Sequence, residues 1–139
     1  RLGYSYYQTG DYEDAIPCFE KVTTPSDSLA QNALYHLGDC YIRTDQKKFA
    51  GTAFKAAYAI EGNQKLREDA LFNYAKLSYE LAYDPYNEAI KAMQDYLADY
   101  PDSPRSDEAY SYLVNLFLVT PNYDEALISL EKIDQKVCL

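Results

Sequence analysis

Candidate catalytic and metal-binding side chains are few in this chain. It has one histidine, His36, and three cysteines without a Cys-x-x-Cys motif. A metal site needs several His or Cys ligands, and an activated nucleophile needs a base with an evident partner. The adjacent carboxylates Glu13–Asp14 and Asp107–Glu108 stand at predicted helix starts, where acids favour the helix dipole. We therefore expect no catalytic residue, no metal and no cofactor.

The charge balance narrows the class of partner. Thirteen Lys and Arg residues stand against twenty-two Asp and Glu residues, a formal net charge of −9. Binding to phosphates requires clustered Lys and Arg, so this balance disfavours nucleic acid and anionic membrane surfaces. No apolar run approaches the ~20 residues that span a bilayer, so we expect no membrane insertion. The acidity either keeps the protein soluble or steers a basic or neutral partner towards it.

Four alanines recur along the chain at steps of 35, 39 and 37 residues: Ala15, Ala50, Ala89 and Ala126. Each is followed four positions later by a large apolar residue: Phe19, Phe54, Met93 and Leu130 in turn. A repeat of this length indicates small stacked units, since one unit cannot bury its apolar face alone.

Helical periodicity runs throughout, and turn residues divide it into eight predicted helices. We place them at about 1–8, 12–23, 28–43, 47–61, 65–82, 86–99, 105–119 and 123–136. They pair into repeats at about 1–26, 27–63, 64–102 and 103–136, which we take as one domain, 1–139. Because the chain begins inside a helical pattern and ends just after one, we expect it to be a piece of a longer protein.

The first helix of each pair carries a small residue beside large ones. The pattern is Leu2-Gly3-x-x-Tyr6 in the first unit and Leu37-Gly38-x-x-Tyr41 in the second. A small residue lets two helix backbones approach, and its large neighbours fill the space on either side. We therefore expect these glycines to face the second helix of the pair. Cys40, beside Gly38, is expected to pack in the core.

These residues resemble the tetratricopeptide repeat (TPR) family, whose helix–turn–helix units carry the pattern L-G-x2-Y…A-x3-F…P. The first two units match it well, the third departs at Tyr74 and Ser78, and the fourth has Val114 in place of the small residue. The resemblance implies an all-α fold, a right-handed α-α superhelix of about four repeats. It also implies a non-catalytic protein–protein interaction scaffold.

A narrower likeness lies in the string from Tyr86 to Tyr110, with its Tyr100-Pro101-Asp102-Ser103-Pro104 segment. It is similar to repeats of bacterial cell-envelope proteins, such as the lipoprotein subunit of the outer-membrane β-barrel assembly machine and the periplasmic coordinator of the Tol–Pal system. The resemblance implies a bacterial origin and favours the periplasm or cell envelope over the cytoplasm.

In such a superhelix the first helices of the pairs line a concave groove. Residues off the buried stripe of those helices are the expected contacts for a partner peptide or helix, and aromatic side chains suit anchors. The expected groove residues are Tyr4, Tyr7, Tyr35, His36, Asp39, Arg43, Phe72, Asn73, Lys76, Tyr79, Tyr112 and Asn115. Since the chain has sixteen tyrosines, packing between units is the competing interpretation for any one of them.

Three functional hypotheses remain open. The first is a scaffold that binds a protein or peptide of unknown identity in the groove. The second is a structural or assembly role, in which the repeats stack on further repeats or on another copy, so that self-association is possible. The third is a regulatory repeat region attached to an effector outside this sequence.

Overall fold

The computed structural model describes residues 2–22, 28–81, 86–120 and 122–137, and all regular secondary structure in these ranges is helical. The helices are α1 (Leu2–Thr9), α2 (Tyr12–Glu20), α3 (Ser28–Arg43), α4 (Lys47–Ala59), α5 (Gln64–Leu81), α6 (Asn87–Asp99), α7 (Ser106–Val119) and α8 (Tyr123–Val137). The all-α fold and the eight predicted helices are confirmed.

The helix ends differ most from prediction in α2 and α4. Helix α2 stops at Glu20, before the predicted residue 23, and its interior includes Pro17, which has no N–H to donate. Helix α4 stops at Ala59 because Ile60 has an extended backbone, φ −85° and ψ 122°. The predicted ends of the second helix at residue 23 and of the fifth helix at residue 82, and the predicted boundary between the first two repeats at 26–27, lie outside the described residues.

The chain forms two compact units, unit 1 (Arg1–Leu77) and unit 2 (Ser78–Leu139), and the division falls within α5. In unit 1, α1 packs on α2, α2 on α3 and α3 on α4. In unit 2, α6 packs on α7 and α7 on α8. Each consecutive pair α1–α2, α3–α4 and α7–α8 is thus a helical hairpin.

Small residues set the distance between paired helices. A Cβ on Gly38 would lie 2.8 Å from ring atoms of Phe54, and one on Gly3 would lie 3.0 Å from Cβ of Cys18. Ala15 and Ala50 have no exposed surface. The predicted role of these small residues as helix contacts is confirmed, because a Cβ on Gly38 would overlap the Phe54 ring and one on Gly3 would crowd Cys18 and Phe19.

The α7–α8 hairpin keeps its packing without a small residue on α7. Val114 is 9% exposed, and Ala126, its counterpart on α8, is 2% exposed. Helix α7 still packs on α8. A valine therefore fits at this contact, where the repeat pattern has a smaller residue.

The core of each unit follows from helical spacing. In α6 the buried residues recur at i, i+3, i+4, i+7 and i+8, the stripe that faces a core: Ala89, Ala92, Met93, Tyr96 and Leu97. The hydroxyls of Tyr96 and Ser103 are hydrogen-bonded at 2.8 Å, so the buried phenol has a partner. In unit 1, Cys40 has no exposed surface, and burial raises the pKa of its thiol to about 11. Its predicted role in the core is confirmed.

A buried glutamine closes the end of α4. Nε2 of Gln31 donates to the carbonyl oxygen of Ile60 at 2.9 Å, and its Oε1 accepts from the backbone N–H of Asn63 at 2.8 Å. A Cβ on Gly62 would lie 2.6 Å from that Oε1. The side chain satisfies backbone groups that the end of a helix leaves without intrahelical partners, and the repeat pattern does not predict it.

Two glycines of the same hairpin provide a matched test of the close contact. We expect Gly38→Ala to lower the free energy of unfolding by about 1–3 kcal/mol, because the new methyl overlaps the Phe54 ring. Gly51→Ala, where a Cβ would meet nothing within 4 Å, should raise it by about 0.5–1 kcal/mol through helix propensity. Urea denaturation of both variants measures the difference. Equal effects at the two positions would contradict the contact.

Candidate functional site

Six of the predicted groove residues come together in unit 1, on α1 and α3. We call this set the aromatic face; its members are Tyr4, Tyr7, Tyr35, His36, Asp39 and Arg43. The imidazole of His36 lies at its centre, with ring centroids 4.8 Å from Tyr7, 5.5 Å from Tyr4 and 5.8 Å from Tyr35. The rings of His36 and Tyr7 are stacked, at 22°. The α1–α2–α3 packing therefore builds one continuous aromatic surface.

One carboxylate oxygen organises the polar side of this face. The hydroxyl of Tyr7 donates to Oδ2 of Asp39 at 2.6 Å, and Nε of Arg43 donates to the same oxygen at 2.9 Å. Because Arg43 is one helical turn after Asp39, α3 alone places the ion pair. The bond from Tyr7 then ties α1 to α3.

Tyr7 remains a hydrogen-bond donor at all physiological pH values. Its bond to the Asp39 carboxylate, together with burial, raises the pKa of Tyr7 to about 12. Hydrogen bonds to a charged partner are stronger than neutral ones. The geometry of Tyr7 and Asp39 is therefore set before any ligand arrives.

His36 acts as a packed ring more than as a free polar contact. Its Nδ1 is buried and has no hydrogen-bond partner within the described ranges. Burial lowers the pKa of His36 below its ordinary value of 6.5, and the nearby Asp39 carboxylate acts in the opposite direction. The neutral imidazole is the form that this environment favours.

Tyr12, which the repeat pattern does not select, completes the aromatic face on the α2 side. Gly10, at φ 85°, turns the chain between α1 and α2 and brings Tyr12 beside Tyr7, with centroids 5.7 Å apart. The guanidinium of Arg43 lies 5.0 Å over the Tyr12 ring. In the sequence, the short Gly10–Asp11 turn is the one signal for this contact. The repeat pattern places the second helices away from the groove and so does not predict Tyr12 here.

The predicted groove residues of α5 within unit 1 are less exposed than expected. Phe72 is buried, with 5% of its surface exposed, so its prediction as a surface contact is corrected. Asn73 and Lys76 are half-buried. The ammonium of Lys76 lies 5.6 Å from the Phe72 ring centroid. The charged side chain of Lys76 therefore covers the Phe72 ring.

Unit 2 contains the remaining predicted residues. The rings of Tyr79 and Tyr112 are 4.9 Å apart, and the hydroxyl of Tyr112 donates to Glu108 at 3.3 Å. Burial and the Glu108 carboxylate raise the pKa of Tyr112. Asn115 is exposed. Tyr79 and Tyr112 thus form a smaller aromatic pair of their own.

An apolar cleft that sequence reasoning missed lies between α2, α3 and α4. It has a volume of about 570 Å³ and is lined mainly by aliphatic and aromatic side chains, among them Phe19, Leu34 and Ala53. Glu20, also part of its lining, accepts a hydrogen bond from the hydroxyl of Tyr41. Helix α3 therefore contributes both to the aromatic face and to this apolar cleft.

Across residues 2–22, 28–81, 86–120 and 122–137, no group of three or more His, Cys, Asp or Glu side chains is arranged to hold a metal ion. In the same ranges, every helix is too short or too polar to cross a membrane.

Comparisons with known proteins identify the repeats. Family models described as tetratricopeptide repeat match residues 1–65 and residues 69–103, which together span most of the chain. No curated protein sequence matches.

Solved structures show the same fold. The crystal structure of MamA is 24% identical with a TM-score of 0.70, over 99% of this chain and 78% of that chain. A crystal structure of nearly identical TPR-like repeats from Podosopora anserina is 17% identical with a TM-score of 0.65, over 95% of this chain and 69% of that chain. At such identities the likeness concerns the fold alone.

Acidification should destabilise the chain through its single histidine. Because the folded state lowers the pKa of His36 below 6.5, the unfolded chain takes up this proton first as the pH falls. We expect the unfolding free energy of the wild type to decline, relative to His36→Phe and His36→Gln, as the pH drops through about 6.5. The difference in unfolding free energy between the wild type and the variants should become constant at pH values below the pKa of His36 in the folded state.

Urea denaturation at half-unit steps from pH 8 to pH 5 measures this difference. The carboxylates are shared by all three chains, so their contribution largely cancels. A difference between wild type and variants that does not change with pH would contradict the buried, neutral imidazole.

Proposed function

Since residues 1–65 and 69–103 belong to the tetratricopeptide repeat family, we propose that this chain is a scaffold that binds a partner peptide or helix on its aromatic face. Tetratricopeptide repeats are generally protein-interaction modules and are typically non-catalytic. The partner is a protein segment, and no chemical step takes place on it.

The observation that carries the proposal is the preorganised set around Asp39. The Tyr7 hydroxyl and the Arg43 guanidinium hold one carboxylate oxygen, and Tyr4 remains 47% exposed beside them. A rigid aromatic ring offers a large contact area and loses little conformational entropy on binding. Side chains that are already in position also lower the entropic cost of association.

The charges of the face favour a partner segment of mixed or neutral character. Asp39 and Arg43 neutralise one another locally, and the side chain of Arg43 is 48% exposed. The net charge of −9 works against acidic partners at longer range. We therefore propose that the partner segment places an apolar or aromatic anchor over Tyr4 and a hydrogen-bond acceptor near Arg43. These charges do not suit a nucleic acid or an anionic membrane as the partner.

The place of this activity in the cell stays a prediction. The bacterial cell-envelope likeness rests on the string from Tyr86 to Tyr110 and on no other observation. Binding on the aromatic face does not depend on it, because the residues of that face belong to α1 and α3.

A peptide ligand selected from a displayed random library against the wild-type chain would test the binding surface. We expect Tyr4→Ala to weaken that ligand by roughly tenfold or more, the usual loss for an aromatic anchor. Phe49→Ala is the matched control, because Phe49 is 58% exposed on α4 and lies outside the face. Isothermal calorimetry measures both dissociation constants. The proposal fails if Tyr4→Ala binds as tightly as wild type, or if Phe49→Ala alone loses the ligand.

A further inference from the structure

The apolar cleft of unit 1, between α2, α3 and α4, has a counterpart in unit 2. A recess between α6, α7 and α8 is lined by residues at the equivalent repeat positions: Leu113 corresponds to Leu37 of the cleft, and Ser129 corresponds to Ala53. Each leucine comes just before the small-residue position of a first helix, and Ala53 and Ser129 each follow a repeat alanine by three residues. The stacking of the repeats therefore leaves a depression at this place in both units.

The cleft of unit 1 is the larger of the two. Its volume is about 570 Å³, against about 220 Å³ for the recess of unit 2. Smaller side chains line the cleft at two positions, since Leu34 stands where unit 2 has Tyr110, and Thr52 stands where unit 2 has Ile128. Sites for small organic ligands have volumes of about 300–1,000 Å³. The cleft lies within this range, and the recess lies below it.

The cleft also has a fixed carboxylate that the recess lacks. At the positions of Phe117 and Gln94 in unit 2, unit 1 has Tyr41 and Glu20, and the Tyr41 hydroxyl donates a hydrogen bond to the Glu20 carboxylate. Burial and this bond raise the pKa of Tyr41 to about 12, so the hydroxyl remains a donor. Because Phe117 is buried at the equivalent position, helix packing does not require a hydroxyl there. The bond instead holds the carboxylate beside the cleft.

The charge of the cleft selects among ligands. Among the described residues of its lining, Glu20 alone has a charged side chain, and the others are aliphatic or aromatic apart from Thr52. Lys21, the next residue, is exposed and does not line the cleft. An anionic amphiphile would meet like charge at Glu20 and in the net charge of −9. A ligand with an apolar body and a positively charged head fits both features.

We propose that the apolar cleft binds a small amphipathic cation, with its aliphatic or aromatic body against α3 and α4 and its ammonium or guanidinium head at Glu20. The body loses contact with water among Phe19, Leu34 and Ala53. The head makes charge-assisted hydrogen bonds to the carboxylate. The lining of the cleft includes no residue of the aromatic face, so this proposal and the proposed binding of a partner segment fail independently.

Three probes with one apolar tail separate the two parts of this site: octylammonium, 1-octanol and octanoate. Isothermal calorimetry at neutral pH measures their dissociation constants. The buffer contains about 0.15 M salt, which screens exposed charges more than about 8 Å apart. We expect octylammonium to bind about fivefold or more tightly than octanoate, with 1-octanol between them, because Glu20 attracts one head and repels the other.

Two variants, each with a matched control, locate the binding. Glu20→Gln gives the cleft the residue that unit 2 has at position 94, and octylammonium and octanoate should then bind equally. Its control is Glu13→Gln, the same charge change on α2 outside the cleft, which should keep the preference. Thr52→Phe should weaken all three probes roughly tenfold or more by filling the cleft. Its control is Ile128→Phe, at the equivalent position of unit 2, which should bind as wild type does.

Circular dichroism checks that each variant folds, and Ala56→Phe, also in the lining, replaces Thr52→Phe if that variant does not. Octanoate that binds as tightly as octylammonium to the wild type overturns the proposal. A preference that survives Glu20→Gln overturns it as well, as does wild-type affinity in a folded variant with a filled cleft. A wild type that binds none of the probes up to their solubility limits also contradicts it.

Discussion

Contacts between paired helices that admit no side chain larger than hydrogen or a methyl group underlie the rest of this structure. At Gly38 the space for a Cβ is already filled by the Phe54 ring, and at Gly3 a Cβ would lie in tight contact with Cys18 and Phe19. Ala15 and Ala50 have no exposed surface. Because interiors are close-packed, such contacts set the rotation of each helix as well as its distance from the next. The direction of every other side chain on α1 and α3 follows from that rotation.

The aromatic face is one consequence. With Gly3 turned towards α2 and Gly38 towards α4, the Tyr7 ring stacks on both Tyr4 and His36. The Asp39 carboxylate then joins α1 to α3 through the Tyr7 hydroxyl. Aromatic pairs of this kind contribute about 0.5–1.5 kcal/mol each beyond the area they bury. Among the described residues the buried Nδ1 of His36 has no hydrogen-bond partner, which acts against this stabilisation.

The sequence predicts the helices better than it predicts the residues of the candidate site. The eight helices and the glycine contacts follow from local periodicity and from the size of a single residue, which the sequence states directly. Tyr12 depends instead on a neighbour distant in sequence, because the Gly10 turn brings it to Arg43. Phe72 has the periodicity of a surface position yet is buried. Gln31 was missed because its partners are backbone groups at the end of α4, which no residue pattern records.

The most direct measurement of the central claim is an NMR spectrum of the imidazole protons of His36, which are readily assigned because the chain has one histidine. Close helix packing predicts nuclear Overhauser contacts from this ring to the rings of both Tyr4 and Tyr7, together with shifts displaced upfield by the stacked Tyr7 ring. Imidazole shifts equal to those of a free peptide, without contacts to either tyrosine, would contradict the claim that the glycine-mediated hairpins assemble the aromatic face.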